Sequence, residues 1–194
     1  MAQWISIETT NIRSLKANDT SECRKKLKTL LTNKPDIAII TECHLTNKHI
    51  ELMERNFRYE LADYRCVVSP NDRRGILALI KKSTTLHYST IINGNILKLG
   101  VETSDTKMAV IAVYAPSQGQ DVDFFLNLRS VQLNCEEPNQ IICGDFNTTM
   151  DKTLDKSGYI TDSHWITREV IRDWIDSEEG NCLDTFRLCN PFSM

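Results

Sequence analysis

The chain has 194 residues, of which 41% are hydrophobic and 25% charged, and its net charge is −3. That length suits one domain with a substantial core, and the composition is that of a globular protein rather than a disordered or fibrous one. The slight acidity excludes a strongly basic nucleic-acid binder, so any contact with phosphate must come from a local basic patch or a bound cation.

Residues 4–10 alternate apolar and polar, the pattern of a half-buried strand. Thr20 or Ser21 can cap a helix to about Leu31, with Cys23, Leu27, Leu30 and Leu31 on one face. Lys34-Pro35-Asp36 breaks it. Ile37-Ala38-Ile39-Ile40 is short, apolar and β-branched, as expected of a strand buried on both faces. Thr46 starts a second helix with Ile50, Met53 and Phe57 inward. Tyr64 to Val68 and Gly75 to Ile80 read as strands around a turn at Ser69-Pro70-Asn71-Asp72-Arg73-Arg74. Ile96 to Val101 and Met108 to Val113 read as another pair. Asp121 or Asp123 opens a helix carrying Phe124, Phe125, Leu128 and Val131. The strand Gln140 to Cys143 follows, then a helix with Ile166, Val170 and Trp174 at four-residue steps. Leu183 to Phe186 reads as a last short strand. The alternation predicts α/β (α+β) layers, with helices covering a β-sheet core.

Seven cysteines, an odd number with no C-x-x-C spacing, argue against a disulfide framework or a structural zinc site. They fit a reducing compartment, nucleus or cytoplasm. Met1 to Glu8 lacks the basic and long apolar regions of a secretory signal, so secretion is not expected. No apolar run approaches the roughly 18 residues of a membrane span, so no membrane association is expected.

Four predicted strands end in residues suited to chemistry rather than packing: Asn11, Glu42, Tyr114, and Asp145 with Asn147. A carboxylate just past a buried strand is held rigidly while its charge reaches solvent. A hard cation that needs one or two protein carboxylates and several waters suits such a place. Two carboxylates from distant strands, with amide donors, would build a divalent-metal site beside an oxyanion site.

Asn11-Ile12-Arg13-Ser14-Leu15, Thr41-Glu42-Cys43-His44-Leu45, Val113-Tyr114-Ala115-Pro116 and Gly144-Asp145-Phe146-Asn147 resemble, in their order, the endonuclease/exonuclease/phosphatase superfamily. Within it the chain looks most like the apurinic-type endonuclease domain of non-LTR retrotransposons. Gly75 to Lys82 and Leu183-Asp184-Thr185-Phe186-Arg187 add to that likeness, which covers nearly the whole chain. The resemblance implies a four-layer α/β sandwich of the DNase I-like type. It also implies a Mg²⁺- or Mn²⁺-dependent nuclease that hydrolyses a DNA phosphodiester, fused in a full-length element to a reverse transcriptase.

By the same resemblance Glu42 and Asn11 hold the metal. Asp145 orients or activates the attacking water, Asn147 helps hold the scissile phosphate, and Tyr114 lines the phosphate site. His44 either contacts DNA or is structural, and Cys43 stands where the family commonly has threonine. Arg73 and Arg74, with Lys81 and Lys82, form either a phosphate-contacting patch or a solvated turn. His49, His87 and His164 have no ligand spacing. The family continues into a Ser-x-Ile-Asp-type segment, a closing Ser-Asp-His and final strands, none of which this chain contains. The expectation is a domain incomplete at its C-terminal end, with weak or absent cleavage, open strand edges and exposed apolar surface. The alternatives are a host phosphoesterase of the superfamily, acting on abasic DNA, a phosphoinositide or a sphingolipid, or a vestigial domain that keeps Glu42 and Asp145 without turnover.

Overall fold

The apolar run at 37–40 forms the centre of the first of two sheets. In a computed structural model, which describes residues 4–15, 20–70, 75–103, 106–117, 121–150, 165–177 and 182–189, it is strand β2 (Ile37–Thr41). Strand β1 (Ile7–Asn11) pairs with it in parallel, and β4 (Ile76–Lys81) in antiparallel. Strand β3 (Tyr64–Ser69) closes the order β1-β2-β4-β3. Successive side chains of a strand point to opposite faces, and here both faces are covered. Ala38, Ile40, Leu77 and Leu79 meet Cys23, Leu27 and Leu30 of helix α1 (Thr20–Leu30), Met53 of helix α2 (Asn47–Asn56) and Phe57, which caps the end of α2. Ile37, Ile39, Ile76, Ala78 and Ile80 face the second sheet. Each fully buried Ile or Leu contributes roughly 1.5–3 kcal/mol, which makes this run the anchor of the fold.

The second sheet has the order β5-β6-β7-β8: β5 (Thr85–Ile92), β6 (Ile96–Thr103), β7 (Thr106–Tyr114) and β8 (Gln140–Asp145). Leu97, Leu99, Val101, Met108, Val110, Ala112 and Tyr114 supply its side of the inter-sheet core. Strand β8 joins β7 in parallel, with Tyr114 opposite Asp145. It is the outer strand among the described residues, and its Ile141 is 36% exposed, so the run at 140–143 is half-buried rather than enclosed.

The chain falls into two compact units, residues 1–114 with 137–145, and residues 115–136 with 146–194. Both sheets, α1 and α2 belong to the first. In the second, α3 (Val122–Leu133) is capped by Asp121, whose side chain accepts from Phe124 N at 3.0 Å. It packs against α4 (Trp165–Asp176). Trp174 Nε1 donates to Gln132 Oε1 at 3.4 Å.

Four expectations change. Strand β1 starts at Ile7, and Trp4 lies 90% exposed before it. Strand β5 was not foreseen: its His87-Tyr88-Ser89-Thr90 stretch is polar, and a register shift between Leu86 and Tyr88 interrupts its alternation. The buried face of α4 carries Thr167, Arg168, Ile171 and Trp174, a rotation away from Ile166 and Val170, which are half-buried. Residues 183–186 do not form a strand. Helix α5 (Thr185–Cys189) starts there behind Asp184, whose carbonyl accepts from Leu188 N at 2.9 Å. Aspartate before a helix is a favoured start, and that signal outweighs the short apolar pattern.

Candidate active site

Asn11, Tyr114 and Asp145 are the last residues of β1, β7 and β8, and Glu42 is the first residue past β2. The two sheets bring these four ends to one place. Tyr114 is 4% exposed, and its buried hydroxyl needs an acceptor. It donates to Glu42 Oε1 at 2.6 Å, the short distance expected of a carboxylate acceptor. Asn11 Nδ2 donates to Asp145 Oδ2 at 3.0 Å. Tyr114 and Asp145 are register partners, as are Asn11 and Thr41, the neighbour of Glu42. The four residues therefore form a closed circuit through four strands and both sheets.

Backbone geometry at these ends is unusual. Glu42 has φ 53°, His44 φ 55°, Arg13 φ 49° and Ser14 φ 85°. Each non-glycine residue in this region costs of order 1 kcal/mol and persists only where its surroundings impose it. The surroundings here are two loops bonded to each other. Ile12 N donates to Thr41 O at 3.2 Å, Ser14 N to Glu42 O at 2.7 Å, and Leu15 N to Cys43 O at 2.9 Å. Arg13 N donates to Asn11 Oδ1 at 3.2 Å. That bond fixes the side-chain amide with its NH₂ toward Asp145. Gly144 has φ 132°, and a Cβ there would collide with the Val113 carbonyl oxygen and lie 2.9 Å from Val113 N. Glycine lets β8 approach β7 closely enough to set Asp145 beside Tyr114.

Asn147 lies in the second unit, at φ 47°. Its Nδ2 donates to Ala115 O at 2.7 Å, a bond that shapes the segment after Tyr114. His44 is half-buried, two residues past Glu42. Arg73, Arg74 and His164 lie outside the described residues. His49 accepts from Thr46 N through Nδ1 at 3.2 Å and so serves the start of α2. His87 contacts Glu102 at 2.7 Å. Burial pushes the Cys43 thiol up to about 11 and the Cys143 thiol up to about 12. Both stay protonated at neutral pH and act as small apolar groups beside the site.

The donor set fits a hard divalent cation. Among the described residues no group of three or more His, Cys, Asp or Glu could hold a metal. Glu42, Asp145 and the Asn11 amide oxygen offer hard oxygens. Mg²⁺ typically binds through one or two carboxylates and keeps several waters. Sequence reasoning missed Lys26, which reaches this site from α1. Its sequence signal is the four-residue spacing to Glu22, which predicts a helix-surface ion pair and nothing more.

No protein-family model and no curated protein sequence matches the chain. Solved structures do. An AP endonuclease from Leishmania major superimposes with TM-score 0.74 at 15% identity, over 98% of this chain and 71% of that one. An AP endonuclease from Archaeoglobus fulgidus gives 0.72 at 17% identity, over 98% and 76%. TDP2 from D. rerio, solved with a single-strand DNA product, gives 0.58 at 19% identity, over 75% and 61%. The fold is the DNase I-like mixed α/β architecture of these AP endonucleases, as the sequence resemblance implies.

Proposed function

We propose that this chain is a metal-dependent phosphodiesterase acting on DNA. The observation that carries the reading is the circuit Asn11–Asp145–Tyr114–Glu42, which sets two carboxylates from different strands in one place. Glu42, with the Asn11 amide oxygen, would hold Mg²⁺ or Mn²⁺. Bound there, the ion would supply Lewis-acid stabilisation of charge on the phosphoryl oxygens. Tyr114 orients Glu42 through its hydroxyl. Asn11 turns the Asp145 carboxylate so that it can accept a hydrogen bond, and then the proton, from a water that attacks phosphorus. The phosphorus–oxygen bond opposite that water breaks, its electron pair goes to the leaving oxygen, and that oxygen takes a proton from solvent water to become the hydroxyl of the strand end. The AP endonuclease fold and the DNA product held by TDP2 support DNA as the substrate class.

The finer reading is a retrotransposon-type endonuclease, supported by the order of the motifs at Asn11, Glu42, Tyr114 and Asp145. In such an element, fused to a reverse transcriptase, the nick would prime reverse transcription in the nucleus or cytoplasm. Fold similarity to AP endonucleases favours a second reading, cleavage at abasic sites. A supercoiled plasmid and an oligonucleotide with one abasic site, each incubated with the chain in Mg²⁺, separate the two.

Titrating the chain with Mn²⁺ by calorimetry tests the shared part. One site is expected, and Glu42→Ala should abolish it. Binding that survives Glu42→Ala overturns the metal assignment. Binding without nicking of either DNA leaves a vestigial domain and overturns the catalytic one.

A further inference from the structure

Lys26 lies in the middle of α1, outside every motif discussed above. Its Nζ donates to Ile12 O and to Ser14 O, each at 3.3 Å. It also pairs with Glu22 Oε1 at 3.1 Å. An ammonium has three donors, and these three acceptors use all of them. The side chain is 30% exposed, so the two carbonyl contacts are partly shielded from water.

The two carbonyls flank Arg13. They converge on one ammonium in a segment where Arg13 and Ser14 are both left-handed. That conformation has two direct consequences. It places Arg13 N on Asn11 Oδ1, which fixes the amide and aims its NH₂ at Asp145. It also places Ser14 N on Glu42 O, at a residue that itself has φ 53°. Released from Lys26, the loop could relax toward ordinary backbone angles. Relaxation would turn Asn11 away from Asp145 and loosen Glu42 in one movement.

We propose that Lys26 is a positioning residue of this site, a latch from α1 that holds the Asn11–Leu15 loop in its left-handed form and thereby sets both carboxylates. The inference rests on the proposed function for its catalytic meaning, while the latch itself is a property of the loop.

The test compares Lys26→Met, Lys26→Arg and Lys25→Met in the whole chain. Met keeps the aliphatic stem and loses the donors. Lys25 is exposed on the same helix and serves as the control. Amide hydrogen exchange at Ser14 and Leu15 should accelerate about tenfold in Lys26→Met. Exchange at Leu77 and Leu79 should stay unchanged. Mn²⁺ affinity should fall by about 10–100-fold, the usual effect of removing a group that orients a ligand. Lys26→Arg should recover part of both, and Lys25→Met should match wild type. Faster exchange with unaltered Mn²⁺ affinity overturns the positioning role, and unaltered exchange overturns the latch. A wild-type chain that binds no Mn²⁺ would sink the proposed function instead, and exchange at Ser14 and Leu15 would then decide the latch alone.

Discussion

The first sheet carries a polar cluster at each end, and the two clusters are built on different principles. At the starts of β1 and β2, Asp36 accepts from Ser6 N at 2.9 Å and from the Ser6 hydroxyl at 3.0 Å, and it pairs with Lys81 Nζ at 3.3 Å. Tyr64 Oη donates to the adjacent Pro35 carbonyl at 3.0 Å. Charge is matched by charge, and these residues keep ordinary backbone angles. At the other end Glu42 has no cationic partner among the described residues and accepts from a phenol, while Asp145 accepts from an amide. The backbone there is left-handed at four residues. The first cluster is arranged for stability. The second leaves Glu42 without a cationic partner among the described residues and holds strained backbone in place, which is the contrast behind the proposed metal role.

The largest expected effect follows from Gly144. A side chain there meets both the Val113 backbone and an unfavourable φ of 132°. Gly144→Ala should cost about 3 kcal/mol or more. For a chain of this size that lowers Tm by roughly 6–12 °C, measured by calorimetric melting. An unchanged Tm would show that β7 and β8 can separate at the site end without loss, and the close approach at Gly144 would then not be what holds that strained end in place.

Tyr114→Phe sharpens the contrast from the other side. It removes the hydroxyl that orients Glu42 and leaves the ring in the inter-sheet core. Mn²⁺ affinity should drop about 10–100-fold. Stability should change by no more than about 1 kcal/mol, because the half-buried Glu42 carboxylate can be hydrated instead. A large loss of stability with unaltered Mn²⁺ binding would make this hydrogen bond structural and reverse the comparison.

The reach of the sequence differs between the two clusters for a physical reason. Apolar runs and apolar–polar alternation announce strands, so β1 to β4 and β6 to β8 were legible, and with β1, β2, β7 and β8 the strand-end positions of Asn11, Glu42, Tyr114 and Asp145. Their mutual placement was implied by resemblance and not by pattern, since Asn11 and Asp145 are 134 positions apart. Strand β5 was hidden because its exposed face is polar and its register shifts. Lys26 was hidden because its partners are carbonyl oxygens, which every residue has and no sequence marks. The Ser6–Asp36–Lys81 cluster was hidden too: Lys34-Pro35-Asp36 read as a helix breaker, and the lysine lies 45 positions away.

Asp36 gives the smallest effect and the cleanest pH signature. Partial burial by itself would raise its carboxyl, but the Ser6 amide, the Ser6 hydroxyl and Lys81 together more than offset it, and the net pKa lies below the ordinary aspartate value. A carboxyl depressed in the folded state contributes stability that is present above its unfolded value, about 4, and is lost as pH falls through the lowered folded value. Asp36→Asn should therefore cost at most about 1 kcal/mol at pH 7, since the pair is partly exposed. The gap between variant and wild type should narrow below about pH 4. Urea melts at pH 7 and pH 3 measure both points. A gap that stays constant across that range would mean that the loss comes from packing and not from the charge. The Ser6–Asp36–Lys81 cluster would then lose its claim to be the charge-matched end of the sheet.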